Sequence, residues 1–285
     1  MLKKMATLPE DVSSPLVKLL LENARLTATI KTGYTPYSVS CLSDEEFWTI
    51  AEDEIIRLHN LQGQLLTSIQ TESGHKAWDI AVTQEGNLVY TDPDKGTVNL
   101  VKNKQIQTLF TLQGWKPRYI CITSTGDLLV TMRSKDYKQS KIMRYSDSKE
   151  TQTIQFDDQG RPLYSCGTSP RFICENRNGD ICVADNEAKA VVVVNQSGKL
   201  RFRYTGHPSN TKQSFDPVGI TTDSQSHILT AEFTYHLIHM VDQDGQFLCY
   251  IEKCGLLRPW DLCVDTKDNL IVAELSCRVK KVTYQ

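Results

Sequence analysis

One phrase recurs six times along this chain, and it constrains the fold more than any other feature. A Pro or Ala is followed by two variable residues and then an aliphatic one. It reads Pro36-Tyr37-Ser38-Val39, Ala77-Trp78-Asp79-Ile80 and Pro117-Arg118-Tyr119-Ile120, then Pro170-Arg171-Phe172-Ile173, Pro217-Val218-Gly219-Ile220 and Pro259-Trp260-Asp261-Leu262. The aliphatic positions are spaced by 41, 40, 53, 47 and 42 residues. Six residues after each stands a turn residue: Glu45, Gly86, Gly126, Gly179, Ser226 and Asp268. Gly and Asp tolerate the positive φ that tight hairpins need. A short apolar strand follows, such as Leu88-Val89-Tyr90 or Ile181-Cys182-Val183. A third apolar run comes next, then a Gly turn and a fourth strand, as in Gly198-Lys199-Leu200-Arg201.

Four short antiparallel strands per unit of roughly 40–45 residues describe a propeller blade. Six units predict an all-β, six-bladed β-propeller. The sixth repeat ends early, after Val279 to Val282. Residues Ala28-Thr29-Ile30-Lys31-Thr32 read like Thr67-Ser68-Ile69-Gln70-Thr71, the fourth strand of the first repeat. The stretch from about Leu26 to Lys31 is therefore expected to complete the last blade. Joining the two ends of the chain removes an open sheet edge.

At roughly 150 residues per domain, 285 residues would suggest two domains. The repeat replaces them with one, residues 26–285, behind a leader of residues 1–25. Two irregular stretches stand out. Arg133 to Ser140 reads as a long polar insertion between strands two and three of blade three. Phe156 to Gly167 reads as a polar linker into blade four. The composition, 40% hydrophobic and 23% charged, argues against a disordered or collagen-like chain. There is no apolar run long enough to span a bilayer, so no membrane role is expected. The first residues lack a signal-peptide pattern, which points to a cytoplasmic protein. The nine cysteines form no Cys-x-x-Cys pair and lie mostly inside apolar alternations. They read as reduced, small hydrophobes.

At Glu232-Phe233-Thr234-Tyr235-His236-Leu237-Ile238 the unit resembles the NHL repeat, named for Asn-His-Leu. Pro217-Val218-Gly219-Ile220 before it and Asp244-Gly245-Gln246-Phe247 after it fit a full NHL unit. The other five repeats keep the frame but lose the His-Leu pair. The whole stretch from residue 26 to 285 resembles the C-terminal propeller of invertebrate, mollusc-like tripartite-motif (TRIM) proteins. In those proteins RING, B-box and coiled-coil segments precede the propeller. This sequence carries no zinc framework and no heptad run, so RING-type ubiquitin-ligase chemistry would lie in upstream domains. The resemblance implies a non-catalytic module that recognises a protein, as the substrate-recognition propeller of a ubiquitin-ligase system, or RNA.

Propeller sites usually lie where the innermost strands begin, by analogy of fold. The recurrent phrase places Tyr37, Trp78, Arg118, Arg171 and Trp260 at that rim, with Tyr119 and Phe172 behind them. Aromatic residues and Arg dominate interface hot spots and base stacking. These seven residues are the candidate partner-binding set. Charge is unevenly spread. From Gln113 to Arg144 there are seven basic and two acidic residues, whereas Asp44 to Glu54 holds six acids and no base. The two segments are expected on opposite sectors of the ring. Lys116, Arg118, Arg133, Lys135, Lys138 and Arg171 are the candidate contacts for single-stranded RNA, the alternative ligand.

Asp92, Asp185, Glu232 and Glu274 occupy equivalent positions in four repeats. A calcium-dependent lactonase-type enzyme would need such carboxylates to converge. Equivalent positions of separate blades diverge instead, so the expected role is to accept backbone N–H groups of the following turns. No metal, cofactor or catalytic residue is expected, and no phosphate-binding loop or nucleophile elbow is present.

Overall fold

The computed structural model describes residues 24–207 and 214–284. It contains 24 strands in six four-stranded antiparallel sheets. The leader reading falls almost wholly outside the described residues.

Blade one consists of β2 (Ser38–Cys41), β3 (Glu46–Ile50), β4 (Ile55–Asn60) and β5 (Leu65–Gln70). Blade two is β6 (Ile80–Val82), β7 (Leu88–Asp92), β8 (Thr97–Lys102) and β9 (Gln105–Thr111). Blade three is β10 (Trp115–Ile122), β11 (Leu128–Ser134), β12 (Ser140–Ser146) and β13 (Lys149–Ile154). Blade four is β14 (Arg171–Glu175), β15 (Ile181–Asp185), β16 (Ala190–Val194) and β17 (Leu200–Tyr204). Blade five is β18 (Pro217–Thr222), β19 (Ile228–Glu232), β20 (Leu237–Val241) and β21 (Phe247–Ile251). Blade six takes β22 (Pro259–Val264), β23 (Leu270–Glu274) and β24 (Arg278–Thr283) from the chain end. Its fourth strand is β1 (Arg25–Lys31), antiparallel to β24 with Ile30 opposite Val279. The first strands of successive blades pack side by side around the axis, and β2 meets β22 to close the ring.

Burial follows from this geometry. Strands two and three of a blade lie between two neighbouring sheets, so both of their faces are covered. All five residues of β15 and of β16 are buried. That is why they read as continuous apolar runs with no alternation. The outer strands β5 and β17 are largely exposed. Five of the six recurrent turn residues have a left-handed backbone, with φ of 78° at Gly86, 86° at Gly126, 79° at Gly179, 68° at Ser226 and 59° at Asp268. The repeat therefore records a backbone requirement as well as a hydrophobic pattern.

Three expectations need correction. The insertion at Arg133 to Ser140 does join strands two and three of blade three, but it is shorter than expected: β11 runs to Ser134 and β12 starts at Ser140, which leaves Lys135 to Gln139 as the loop. Ser134 N–H donates to Gln139 O at 3.0 Å, which extends the hairpin beyond its apolar part. Phe156 to Gly167 is no free linker. Phe156 bridges Pro162, and Leu163 and Tyr164 are buried. The basic and acidic segments lie in blades three and one, with only blade two between them, so they are not on opposite sectors.

The cysteines are all free. Four are buried and four are half-buried, with Cys166 exposed. No described helix is long and apolar enough to cross a membrane.

Candidate functional site

The recurrent phrase builds one mouth of the axial channel. Its first variable position turns partly outward in four of the six blades, and its second turns into the wall in all six. Tyr37, Trp78, Arg118 and Trp260 are half-buried, whereas Tyr119 and Phe172 are buried behind them. The rings form a chain of edge and tilted contacts. Tyr37 meets Trp260 at 6.4 Å between centroids, Trp260 meets Phe172 at 6.2 Å, and Phe172 meets Tyr119 at 4.1 Å. Such contacts fix ring orientation beyond simple burial.

Tyr37, Trp78, Tyr119 and Trp260 line a pocket of about 130 Å³ together with Glu52, Lys76 and two alanines. The Lys76 ammonium pairs with Glu52 at 2.6 Å and lies 5.2 Å from the Trp78 ring centre. The recurrent phrase did not reveal Lys76, which directly precedes it, or Glu52, which lies in the loop between β3 and β4.

The wall position has a second use. Asp79 accepts the Ser38 hydroxyl of blade one at 2.6 Å and the Ile120 N–H of blade three at 2.8 Å. Asp261 accepts the Val39 N–H of blade one at 2.8 Å. These carboxylates tie neighbouring first strands together. Burial pushes both upward, Asp79 to about 7. Gly219 stands at the same position in blade five. A Cβ there would lie 2.5 Å from the Asp261 Cα, so the two backbones touch only because the side chain is missing.

The candidate cationic residues separate into distinct environments. Arg118 lies over Trp78 at 3.8 Å, and Arg133 lies over Tyr137 at 3.9 Å. Arg133 and Arg171 are 4% and 6% exposed, so both belong to the wall and neither is a surface charge. Arg171 donates to Cys166 O at 2.6 Å and Ser169 O at 3.2 Å, and it faces Asp185 at 3.7 Å. Lys116 pairs with Asp94 at 3.5 Å. Lys135 and Lys138 are exposed on the loop. Arg144, also in the basic segment, is at the opposite end of its blade and pairs with Asp127 at 3.2 Å. Of the six candidate RNA contacts, three gather in one cleft: Arg118, Arg133 and Arg171.

The repeated carboxylates hold turns. Asp92 accepts N–H groups of Asp94 and Lys95, both at 3.0 Å. Asp185 accepts Ser165 N–H at 2.7 Å and Ala188 N–H at 3.2 Å. Glu232 accepts Asp216 N–H at 2.7 Å, and Glu274 accepts Leu257 N–H at 2.7 Å. The donors come from the following turn or from the segment entering the blade.

His236, the signature His of the repeat, has φ of 62° and accepts the Arg258 N–H at 3.1 Å. It thus pins the segment leading to Trp260.

Burial raises the Glu232 carboxyl from its usual 4.5 to about 7. The unfolded chain loses this proton near 4.5, while the fold retains it to about 7. Its contribution to stability is full below 4.5 and is lost as pH rises through 7. Glu232→Gln is therefore expected to gain stability relative to the parent between about pH 5 and pH 8. Melting curves of both proteins read this as a Tm difference that moves in favour of the variant. A pH-independent difference contradicts it.

No family model matches the sequence. A 117-residue stretch is 28% identical to protein brain tumor of Drosophila melanogaster, covering 40% of this chain and 11% of that protein. The B-box type zinc finger protein ncl-1 of Caenorhabditis elegans is 30% identical over 117 residues, 40% of this chain and 14% of that protein. The chain thus spans a small part of the curated relatives it matches. Among solved structures, virginiamycin B lyase of Staphylococcus aureus superposes with a TM-score of 0.64 at 16% identity, covering 92% of this chain and 99% of the lyase. The WD40 propeller domain of Doa1 gives 0.64 at 13% identity, with 92% and 97% covered. At these identities the two structures share a fold with this chain and nothing more can be carried from them. The chain is a six-bladed β-propeller with two animal proteins among its sequence relatives.

Proposed function

We propose that this propeller is a non-catalytic recognition module that binds a protein through the aromatic mouth of its channel. The observation that carries the reading is the pocket between Tyr37, Trp78 and Trp260. Half-buried aromatic rings around a preformed cavity are what interface hot spots are made of. Trp260 is held by its edge contact with Phe172, Tyr37 by its edge contact with Trp260 and Trp78 by the stacked Arg118, so little side-chain freedom is lost on binding. The titratable groups near the mouth are committed to structure. Asp79, Asp261 and the turn carboxylates all hold backbone donors. The nine free cysteines fit a reducing, cytosolic setting.

The relative ncl-1 is a B-box type zinc finger protein, and that fits a parent protein of tripartite-motif type. In such a protein this propeller would select the substrate and upstream segments would carry ubiquitin-ligase chemistry. Single-stranded RNA is the second reading. It draws on Arg118 over Trp78 and Arg133 over Tyr137, pairs that could sandwich a base.

Affinity capture from extract separates them. The propeller is expected to retain a protein that Trp78→Ala and Trp260→Ala both release, with folding unchanged by circular dichroism. A pool of single-stranded RNA is expected to give no filter binding at about 100 mM salt. Salt-sensitive RNA binding that needs Arg118, with no aromatic-dependent protein capture, would reverse the order.

A further inference from the structure

We propose that the cleft between blades three and four receives one phosphate group, carried on a phosphorylated side chain of the protein partner. This rests on the reading of the channel mouth as a protein-binding face.

Three guanidiniums converge there. Arg118 is at the start of β10, Arg133 near the end of β11 and Arg171 at the start of β14. All three line one cleft, with Thr131, Thr168 and Ser169 beside them. Only Arg171 has a carboxylate within 4 Å among the described residues, namely Asp185 at 3.7 Å. Asp185 is already held by Ser165, through both N–H and hydroxyl, and by Ala188 N–H. The cleft therefore keeps an excess of two positive charges. A phosphate ester carries about that charge with opposite sign near neutral pH.

The cationic groups are also underused. Arg133 and Arg171 are more than nine-tenths buried, and the Nε–H of each has no hydrogen-bond partner. A buried donor left unpaired costs about 1–3 kcal/mol, more when charged. Burial pushes Arg118 down to about 10, and the Arg133 charge adds to the effect. Arg133 is lowered by burial and in part by Arg171. An anion over the cleft would offset the mutual repulsion of these cations.

The fold holds this arrangement rigid before any ligand arrives. Arg118 is stacked on Trp78 and Arg133 on Tyr137. Tyr137 has φ of 66°, a costly conformation for a bulky residue. It is fixed by Gly167 N–H donating to its carbonyl at 3.2 Å and by its own N–H on Ser134 O at 3.1 Å. Arg171 is anchored on Cys166 O and Ser169 O. The space between the side chains is only about 10 Å³, so the phosphate caps the cleft rather than entering it.

The surroundings favour one phosphate over a chain of them. A nucleic-acid track needs basic groups at successive phosphates. Here Lys116 is paired with Asp94 and Lys76 with Glu52, while Glu187 accepts the Ser169 hydroxyl at 2.5 Å. Acids therefore flank the cleft. Trp78 and Tyr119 line both the cleft and the aromatic pocket. A phosphorylated residue on the arginines would thus place a neighbouring apolar side chain of the same segment against Trp260.

The test uses degenerate peptide libraries with a fixed phosphoserine, phosphothreonine or phosphotyrosine, and the same libraries unphosphorylated. Binding to the whole chain is read by fluorescence anisotropy. The phosphorylated pool is expected to bind about tenfold tighter or more. Arg118→Gln, at a half-exposed residue with no ion pair, is expected to erase that difference and leave the Tm unchanged. Arg133→Met, which keeps an apolar contact with Tyr137 but loses the charge and the hydrogen bond to Gly167 O, is expected to erase the difference as well. Inorganic phosphate is expected to compete with the pool. Equal binding of both pools that still depends on Trp260 overturns the phosphate site and leaves the protein-binding reading intact. Binding of neither pool, with Arg118-dependent binding of single-stranded RNA, overturns both. Binding of neither pool and no RNA binding overturns the phosphate site as well.

Discussion

Removal of residues 1–31 is expected to abolish cooperative unfolding near the parent Tm and to drive the protein into concentration-dependent association. The deletion takes away β1, the fourth strand of blade six. Ile30, 2% exposed, packs with Val39, Phe47, Ile271 and Val279 at the joint between the last blade and the first. The loss exposes the whole edge of β24, from Arg278 to Thr283, as a row of unpaired backbone groups. Such an edge is a template for pairing with another chain. A milder version tests the same joint. Ile30→Ala should cost about 2–5 kcal/mol through the cavity it leaves. For a domain of this size that lowers the Tm by roughly 4–10 °C. Thermal melts read the point variant, and light scattering after size-exclusion chromatography reads the deletion. An unchanged melt for Ile30→Ala, or a monomeric deletion variant with parental stability, would show that the ring does not depend on this joint.

Gly219→Ala is expected to destabilise the fold by about 3 kcal/mol, an overpacking cost at the top of its usual range. The added methyl would lie 2.5 Å from the Asp261 Cα and 2.7 Å from the Trp260 carbonyl. Both contacts are backbone, so no flexible side chain can swing away. Strand β22 would have to move outward. That strand carries Trp260, which borders the aromatic pocket, and Asp261, which accepts the Val39 N–H across the closing joint. Stability and partner binding should therefore fall together, with a Tm loss of roughly 6 °C. A Gly219→Ala protein with parental Tm and parental binding would contradict the close approach.

The blades were legible because their signals are local. The aliphatic residue, the left-handed turn six residues later and the next apolar strand lie within one hairpin. Their spacing survives even where residue types drift, as at Ser226 and Asp268. The split sixth blade was legible for the same reason, since a missing strand at one end matched a surplus strand at the other.

The mouth was legible only in part. Alternation along a strand told Tyr37, Trp78 and Trp260 from Asp79 and Tyr119, because successive side chains point to opposite faces. It did not tell what each basic residue does. Arg133 lies in a polar run that reads as loop, yet the ladder extends to Ser134 and buries it. Arg144 lies eleven residues further on and ends up at the other end of the blade, because the chain has turned back. The left-handed backbone of Tyr137 and its stack on Arg133 appear only in three dimensions.

The sequence by itself determined the number of blades, the order of their strands and the closing of the ring, all of which rest on hairpin-scale hydrogen bonding and hydrophobic period. Tertiary structure alone decided which charges meet. Arg118, Arg133 and Arg171 come from three strands of two blades, and no local pattern links them. Their encounter is set by how neighbouring blades pack around the axis, and the shared burial that follows leaves three cations with a single carboxylate between them.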